Sequence, residues 1–261
     1  MIDAPSAAAP TSSASSRLAD WWESYWYEAV DMTRLRYFTR IVFAALLYTI
    51  WKVDYWGPTH AWAPREMYQP IAIARLLHIG PPTETSMPLL QAVLTASLIA
   101  GILLARPTEA AWNRVAARVT NLVVFLAFGL WNIWSFSWSK VDHDRLVPTV
   151  AIAVLCVVPA VGVGPARNVG WALRSIQVIL VLTYPLSAIS KLQKSGWFWL
   201  NSAVFTRAII RRGTEFGQFL MNHPTLLRVG QWSFFGFEVI SVLALSRNAS
   251  IRRFIVPGFF A

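Results

Sequence analysis

Apolar residues in this chain run in long unbroken stretches, with neither the alternation of a strand nor the single stripe of a surface helix. Six stretches, 37–56, 88–105, 119–138, 146–163, 171–189 and 229–245, approach the length of about 20 helical residues that crosses about 30 Å of hydrocarbon. Arg40 stands near the start of the first, Arg174 near the start of the fifth, and Glu238 inside the sixth. A seventh apolar run, 254–261, is too short to span; it is expected to lie at the interface or to be the cut-off start of another span. The pattern therefore predicts an all-α integral membrane fold, a bundle of six spans.

Before the first span, Trp22, Tyr25, Trp26 and Ala29 recur at helical spacing, with Asp20 and Glu23 placed like a capping box. This predicts an interfacial helix leading into the bundle. Residues 1–16, rich in Ala, Ser and Pro, have no basic residue and no hydrophobic segment; a disordered tail is expected rather than a secretory signal. Residues 17–261 are expected to form a single transmembrane domain.

Composition narrows the function classes. Of 261 residues 56% are hydrophobic and 14% charged, against roughly 25% charged in a soluble domain, so a water-facing surface could not be covered. The net charge of +10 comes from 23 Lys and Arg that flank apolar runs instead of forming one basic tract. Lipid headgroups and membrane topology explain that placement, and nucleic acid is not an expected partner. The lone cysteine, Cys156, allows no intramolecular disulfide and no cysteine-built metal cluster. Walker, GxGxxG, HExxH, GxSxG and CxxC signatures are absent. With the N-terminus inside, alternate loops hold twelve basic residues on the inner face and eleven on the outer. The short second and fourth loops decide for a cytoplasmic N-terminus in a multi-pass protein of the cell membrane.

That topology places His60, His78, His143 and His223 in odd-numbered loops, on one face, and Lys191 at the same end of the fifth span. Lys191 follows Tyr184, Pro185, Ser187, Ala188 and Ser190; the proline removes a backbone donor, and a kink is expected before the lysine. A partly desolvated lysine in such a place holds its proton less tightly and can serve as a general base, whereas a lysine that snorkels to the interface cannot. His143 sits between Asp142 and Asp144 in a short loop, where flanking carboxylates could fix its tautomer or where the segment could simply cap the next helix. A carboxylate inside a span, as at Glu238, is expensive unless paired, and it either serves chemistry or glues helices together. Trp131, Trp134 and Trp138, at i, i+3 and i+7, share a helical face that belongs either to an aromatic belt or to a pocket for a flat apolar ligand.

Two segments carry a family resemblance. Val141, Asp142, His143, Asp144, Arg145 and Leu146, heading an apolar helix, resemble the Asn-His-x-x-Leu segment of the vitamin K-dependent gamma-carboxylase-like proteins, also called the horizontally transferred transmembrane (HTTM) family. Tyr184 to Leu192, followed by Trp197 and by Trp199, Leu200, Asn201 and Ser202, is similar to that family's Tyr, small residue, Lys-Leu and Trp-x-x-Gly pattern. Ser202 stands where the pattern has Gly, and Asp142 where it commonly has Asn. The resemblance implies a lyase-type enzyme in which Lys191 deprotonates reduced vitamin K or another isoprenoid quinol and His143 assists, on the extracytoplasmic face. Trp134, Trp138 and Tyr184 are the expected quinol-binding residues, and a small secreted peptide or protein the expected substrate, since no large soluble domain follows the bundle. The alternative is a non-enzymatic membrane partner for maturation, export or immunity of a secreted peptide.

Overall fold

The computed structural model describes residues 14–54, 57–138 and 145–259. It is helical almost throughout; among the described residues strand is confined to the antiparallel pair β1 (Val30–Asp31) and β2 (Pro165–Ala166). The chain forms two compact units, residues 1–176 and 177–261.

The first unit contains α1 (Ala14–Trp26), α2 (Met32–Tyr48), α3 (Ala72–Leu76), α4 (Ser86–Leu104), α5 (Ala111–Phe136), α6 (Leu146–Val157) and the start of α7 (Arg167–Ser195). Asp31 caps α2 by accepting from the Thr33 N–H at 2.7 Å. The last turn of α2 widens into a π-helical segment, Thr49–Val53, that ends at Asp54. Leu35, Phe43 and Leu46 of α2, Leu94 and Leu98 of α4, Val124, Phe128 and Trp131 of α5, and Ile152 and Leu155 of α6 make one buried core. Gly101 lets α4 approach α2, since a Cβ there would overlap the Phe43 ring. The opposite faces leave Leu89, Leu103 and Leu126 at 61%, 68% and 60% exposure, apolar surface suited to lipid.

The second unit contains the rest of α7, a 3-10 segment (Gly196–Asn201), α8 (Val204–Arg212), α9 (Glu215–Met221), α10 (Pro224–Ile240) with a 3-10 extension (Ser241–Leu245), and α11 (Ala249–Ile255). Gly213, in the left-handed region at φ 63°, ends α8, and Thr214 caps α9 through the Gly217 N–H at 3.1 Å. Two small clusters form the interior, Val181 with Ala244 and Ile255, and Ala188 with Leu200 and Phe235.

Among the described residues four helices are long and apolar enough to cross a membrane: Ser86–Leu104, Ala111–Phe136, Arg167–Asn201 and Pro224–Leu245. They cover the second, third, fifth and sixth expected spans. At the first, α2 and its π-helical end are continuous, but Arg34, Arg36, Arg40 and Lys52 hold down the hydropathy. At the fourth, the helix stops at Val157 after 12 residues, about 18 Å at 1.5 Å per residue. Helix α1, at the place of the expected interfacial helix, begins at Ala14, so Asp20 and Glu23 lie within it and do not cap it; Glu23 pairs with Arg167. Helix α7 runs unbroken through Pro185.

Candidate functional site

Lys191 and Glu238 meet in the second unit. Lys191 lies in the last turns of α7 and Glu238 in the last turn and a half of α10, where the periodicity of Gln231, Phe235 and Glu238 defines the buried face. The Lys191 Nζ donates to Glu238 Oε1 in a close ion pair, with 19% of the lysine side chain exposed and 4% of the glutamate. The ammonium also sits over two aromatic faces, 4.5 Å from the Trp199 ring centroid and 4.9 Å from that of Phe234. Aromatic quadrupoles attract a cation most strongly where water is scarce. Here they replace part of the hydration that Lys191 loses.

The 3-10 segment after α7 places Trp199. Its carbonyl accepts from Ser202 Oγ at 2.8 Å and from the Gln231 amide of α10, which ties the segment to the helix that carries Glu238. Ser241 Oγ donates to the Glu238 backbone carbonyl at 2.7 Å. The second carboxylate oxygen, Glu238 Oε2, is buried and has no hydrogen-bond partner among the described residues. A buried acceptor without a donor is costly. It marks the place where a hydroxyl or N–H of a bound molecule would be stabilised. A neighbouring cavity of about 240 Å³ is lined by Leu200, Ser202, Phe205, Leu227 and Gln231, among others.

The other expected site residues fall elsewhere. Tyr184 of α7 packs edge-on against Phe259 at 4.9 Å. Trp134 and Trp138 belong to the first unit. Trp134 is 8% exposed and its indole N–H donates to the Gly80 carbonyl at 3.0 Å. Trp138 follows α5, stacks on His60 at 5.5 Å and meets the edge of Tyr68 at 5.3 Å. Its indole nitrogen is buried without a partner among the described residues. His143 lies outside the described residues. Lys191 and Glu238 are thus the expected site residues that the structure brings into contact.

A second polar centre escapes the sequence pattern. In the first unit Asp54, 1% exposed, accepts from Arg145 Nη2 at 2.5 Å and from the Trp131 indole N–H at 3.1 Å. Arg145 also donates to Asn132 Oδ1 at 3.3 Å. The signal available was a lone carboxylate at the end of an apolar run, the same argument that singles out Glu238. Nearby, an apolar cavity of about 730 Å³ is lined by Ile71, Phe125, Gly129, Ile133 and Leu146, with Asn132, Arg145 and Thr149 as polar members. Among the described residues no cluster of His, Cys, Asp and Glu has the form of a metal site.

Comparison of the chain with protein-family models, with curated proteins and with solved structures finds no match.

Proposed function

We propose that the chain is a multi-pass membrane enzyme in which the Lys191–Glu238 pair moves a proton to or from a lipid-soluble substrate. The observation that carries this reading is an acid and a base in contact on two membrane-type helices, with the second carboxylate oxygen still unpartnered. Ionisable groups inside membrane helices are expensive and are characteristic of proton and substrate pathways. The resemblance to the vitamin K carboxylase-like family supplies the substrate class, an isoprenoid quinol, with His143 as the assisting residue.

A phenolic hydroxyl suits the unpartnered Glu238 oxygen, which can accept from it. For Lys191 to act as the base, the proton it holds in the ion pair first passes to Glu238 Oε1. The neutral amine then takes the substrate proton, leaving an ammonium and a carboxylic acid, so that the pair gains one proton in all. Trp199 and Phe234 stabilise the ammonium formed. A bound quinol supplies the acidic hydroxyl and, with molecular oxygen, the oxidising chemistry. This reading keeps the fuller topology: six spans, counting α2 with its π-helical end and α6 with the residues after it, in the cell membrane with a cytoplasmic N-terminus.

The test is oxygen-dependent formation of quinone epoxide from the hydroquinone by purified protein in nanodiscs. Epoxide from the parent, lost in a folded Lys191→Ala variant, is the expected result. Equal activity in the variant removes Lys191 from the reaction.

One observation favours a second reading. Lys191 is already held by a carboxylate and two rings, which is also how a buried cation fastens one helix to another. On that reading the protein is a non-enzymatic partner for a secreted peptide. A folded parent that makes no epoxide but retains a specific peptide companion through detergent purification decides for it.

A further inference from the structure

A cavity of about 430 Å³ opens in the first unit between the start of α5 and the chain around β2, lined by Arg114, Arg118, Glu109, Gly162 and Asn168 among others. Arg114 and Arg118 are four residues apart and so share one helical face. Helix α5 has 26 residues, about 39 Å at 1.5 Å per residue, and exceeds the hydrocarbon core of about 30 Å. Its apolar run starts at Val119, so both arginines stand on the overhang, at headgroup depth.

The charges there are only lightly used. Arg118 donates to the Val157 carbonyl at 3.5 Å, at the last residue of α6, and Arg114 to the Glu109 carbonyl at 3.3 Å. Among the described residues neither arginine is in an ion pair with a carboxylate. A guanidinium has five N–H donors in a fork that matches phosphate oxygens. Most of these donors remain available at both residues, and one carboxylate against two arginines leaves the cavity cationic. The Gly162 backbone, whose carbonyl accepts from Arg36 Nη1 at 3.0 Å, and the Asn168 amide complete a polar wall. Basic pockets between membrane helices at this depth take phospholipid headgroups.

We infer that this cavity seats the phosphate of an anionic membrane phospholipid, gripped by Arg114 and Arg118. The site does not depend on the chemistry at Lys191.

The test is native mass spectrometry and thermal melting of the purified full chain in detergent, titrated with phosphatidylglycerol or phosphatidylcholine. Phosphatidylglycerol is expected to bind about tenfold more tightly and to raise the melting temperature, on the scale of a charge or two near an anionic surface. Arg114→Gln with Arg118→Gln is expected to abolish the preference. Glu109→Gln is expected to strengthen it, a change in the opposite direction that misfolding does not produce, and Arg75→Gln, outside the cavity, to leave it unchanged. Equal binding of the two lipids, a preference that survives the double substitution, or one unmoved by Glu109→Gln overturns the proposal. Displacement of the lipid by inorganic phosphate at equal concentration also overturns it, in favour of a free-anion site.

Discussion

The Asp54 carboxylate and the Arg145 guanidinium, 91 residues apart in sequence, meet at 2.5 Å in the interior of the first unit. The pair joins the π-helical end of α2 to the start of α6, and Trp131 of α5 takes the other carboxylate oxygen. Three segments are thereby fixed at one point. Asp54→Asn leaves the arginine charge uncompensated where only 12% of its side chain is exposed. Removing one member of a buried pair costs about 3–5 kcal/mol, and the partial exposure of Arg145 places this case at about 3 kcal/mol. Thermal unfolding in detergent is expected to show a clear fall for Asp54→Asn. Recovery of part of it in Asp54→Asn with Arg145→Gln is also expected, because the second change removes the stranded charge. A melting temperature unmoved by Asp54→Asn rules out this role.

His60 gives the same unit a pH dependence. Burial of its imidazole against Trp138 pushes the pKa below the ordinary histidine value, and the Asp54 charge opposes that shift without cancelling it. A histidine with a lowered folded pKa binds fewer protons folded than unfolded as the pH drops through the unfolded value of about 6.5. Its stabilising contribution is therefore complete above that pH and declines as the pH falls toward the folded pKa. The melting temperature of the parent is expected to fall between neutral and mildly acid pH, and His60→Gln to flatten that part of the profile. Parallel profiles for the two proteins count against the assignment.

Lys191 and Glu238 should behave as a unit. Lys191→Met strands a buried carboxylate and Glu238→Gln strands an ammonium, so each change alone is expected to destabilise the second unit, while the double substitution costs less than the sum. The expected coupling is at least about 1 kcal/mol, as for contacting charged groups. Additive effects in a double-mutant cycle by chemical unfolding mean that the contact is energetically silent. The cycle also serves the epoxidation assay, since it separates loss of folding from loss of the proposed base.

The contrast between these two pairs shows how far the sequence could be read. Helix α4 lies close to the apolar run 88–105, and α10 with its extension contains 229–245 whole, because continuous hydrophobicity needs no partner to be recognised. Helix α5 begins eight residues before the apolar run at Val119, since its first turns bury Asn113 and Ala117 and leave Trp112, Arg114 and Val115 exposed, a mixed pattern that a search for pure apolar length passes over. Glu238 was legible as a carboxylate in need of a partner, and Lys191 as a candidate base. Their contact was not, because pairing across 47 residues depends on helix rotation and on the 3-10 segment that swings Trp199 over the amine. Asp54 is less legible: an acid at the end of a hydrophobic stretch has the pattern of a solvated helix end, and only the folded chain brings Arg145 and Trp131 around it.

Gly170 offers a sharp test of how the first unit closes on its N-terminal segment. It lies in the first turn of α7, and a Cβ built there would overlap the backbone carbonyl oxygen of Glu28, with the Glu28 carbonyl carbon 3.0 Å away. Backbone cannot swing aside as the tip of a long side chain can. The approach is held by the β1–β2 pairing of Val30 with Ala166, by Arg167 against Glu23 and Tyr27, and by Arg174 over the Tyr25 ring at 4.5 Å. Gly170→Ala must therefore push α7 and the chain at Glu28 apart, and overpacking of this kind costs about 1–3 kcal/mol. The residues that move are those of α1, so the substitution is expected to raise amide hydrogen exchange and protease access across 14–30 while the α4–α5 core stays protected. Ala at Gly129, where a Cβ meets open space, is expected to be neutral or slightly stabilising in its helix. Equal behaviour of the two variants means that the close approach at Gly170 does not hold α1 in place.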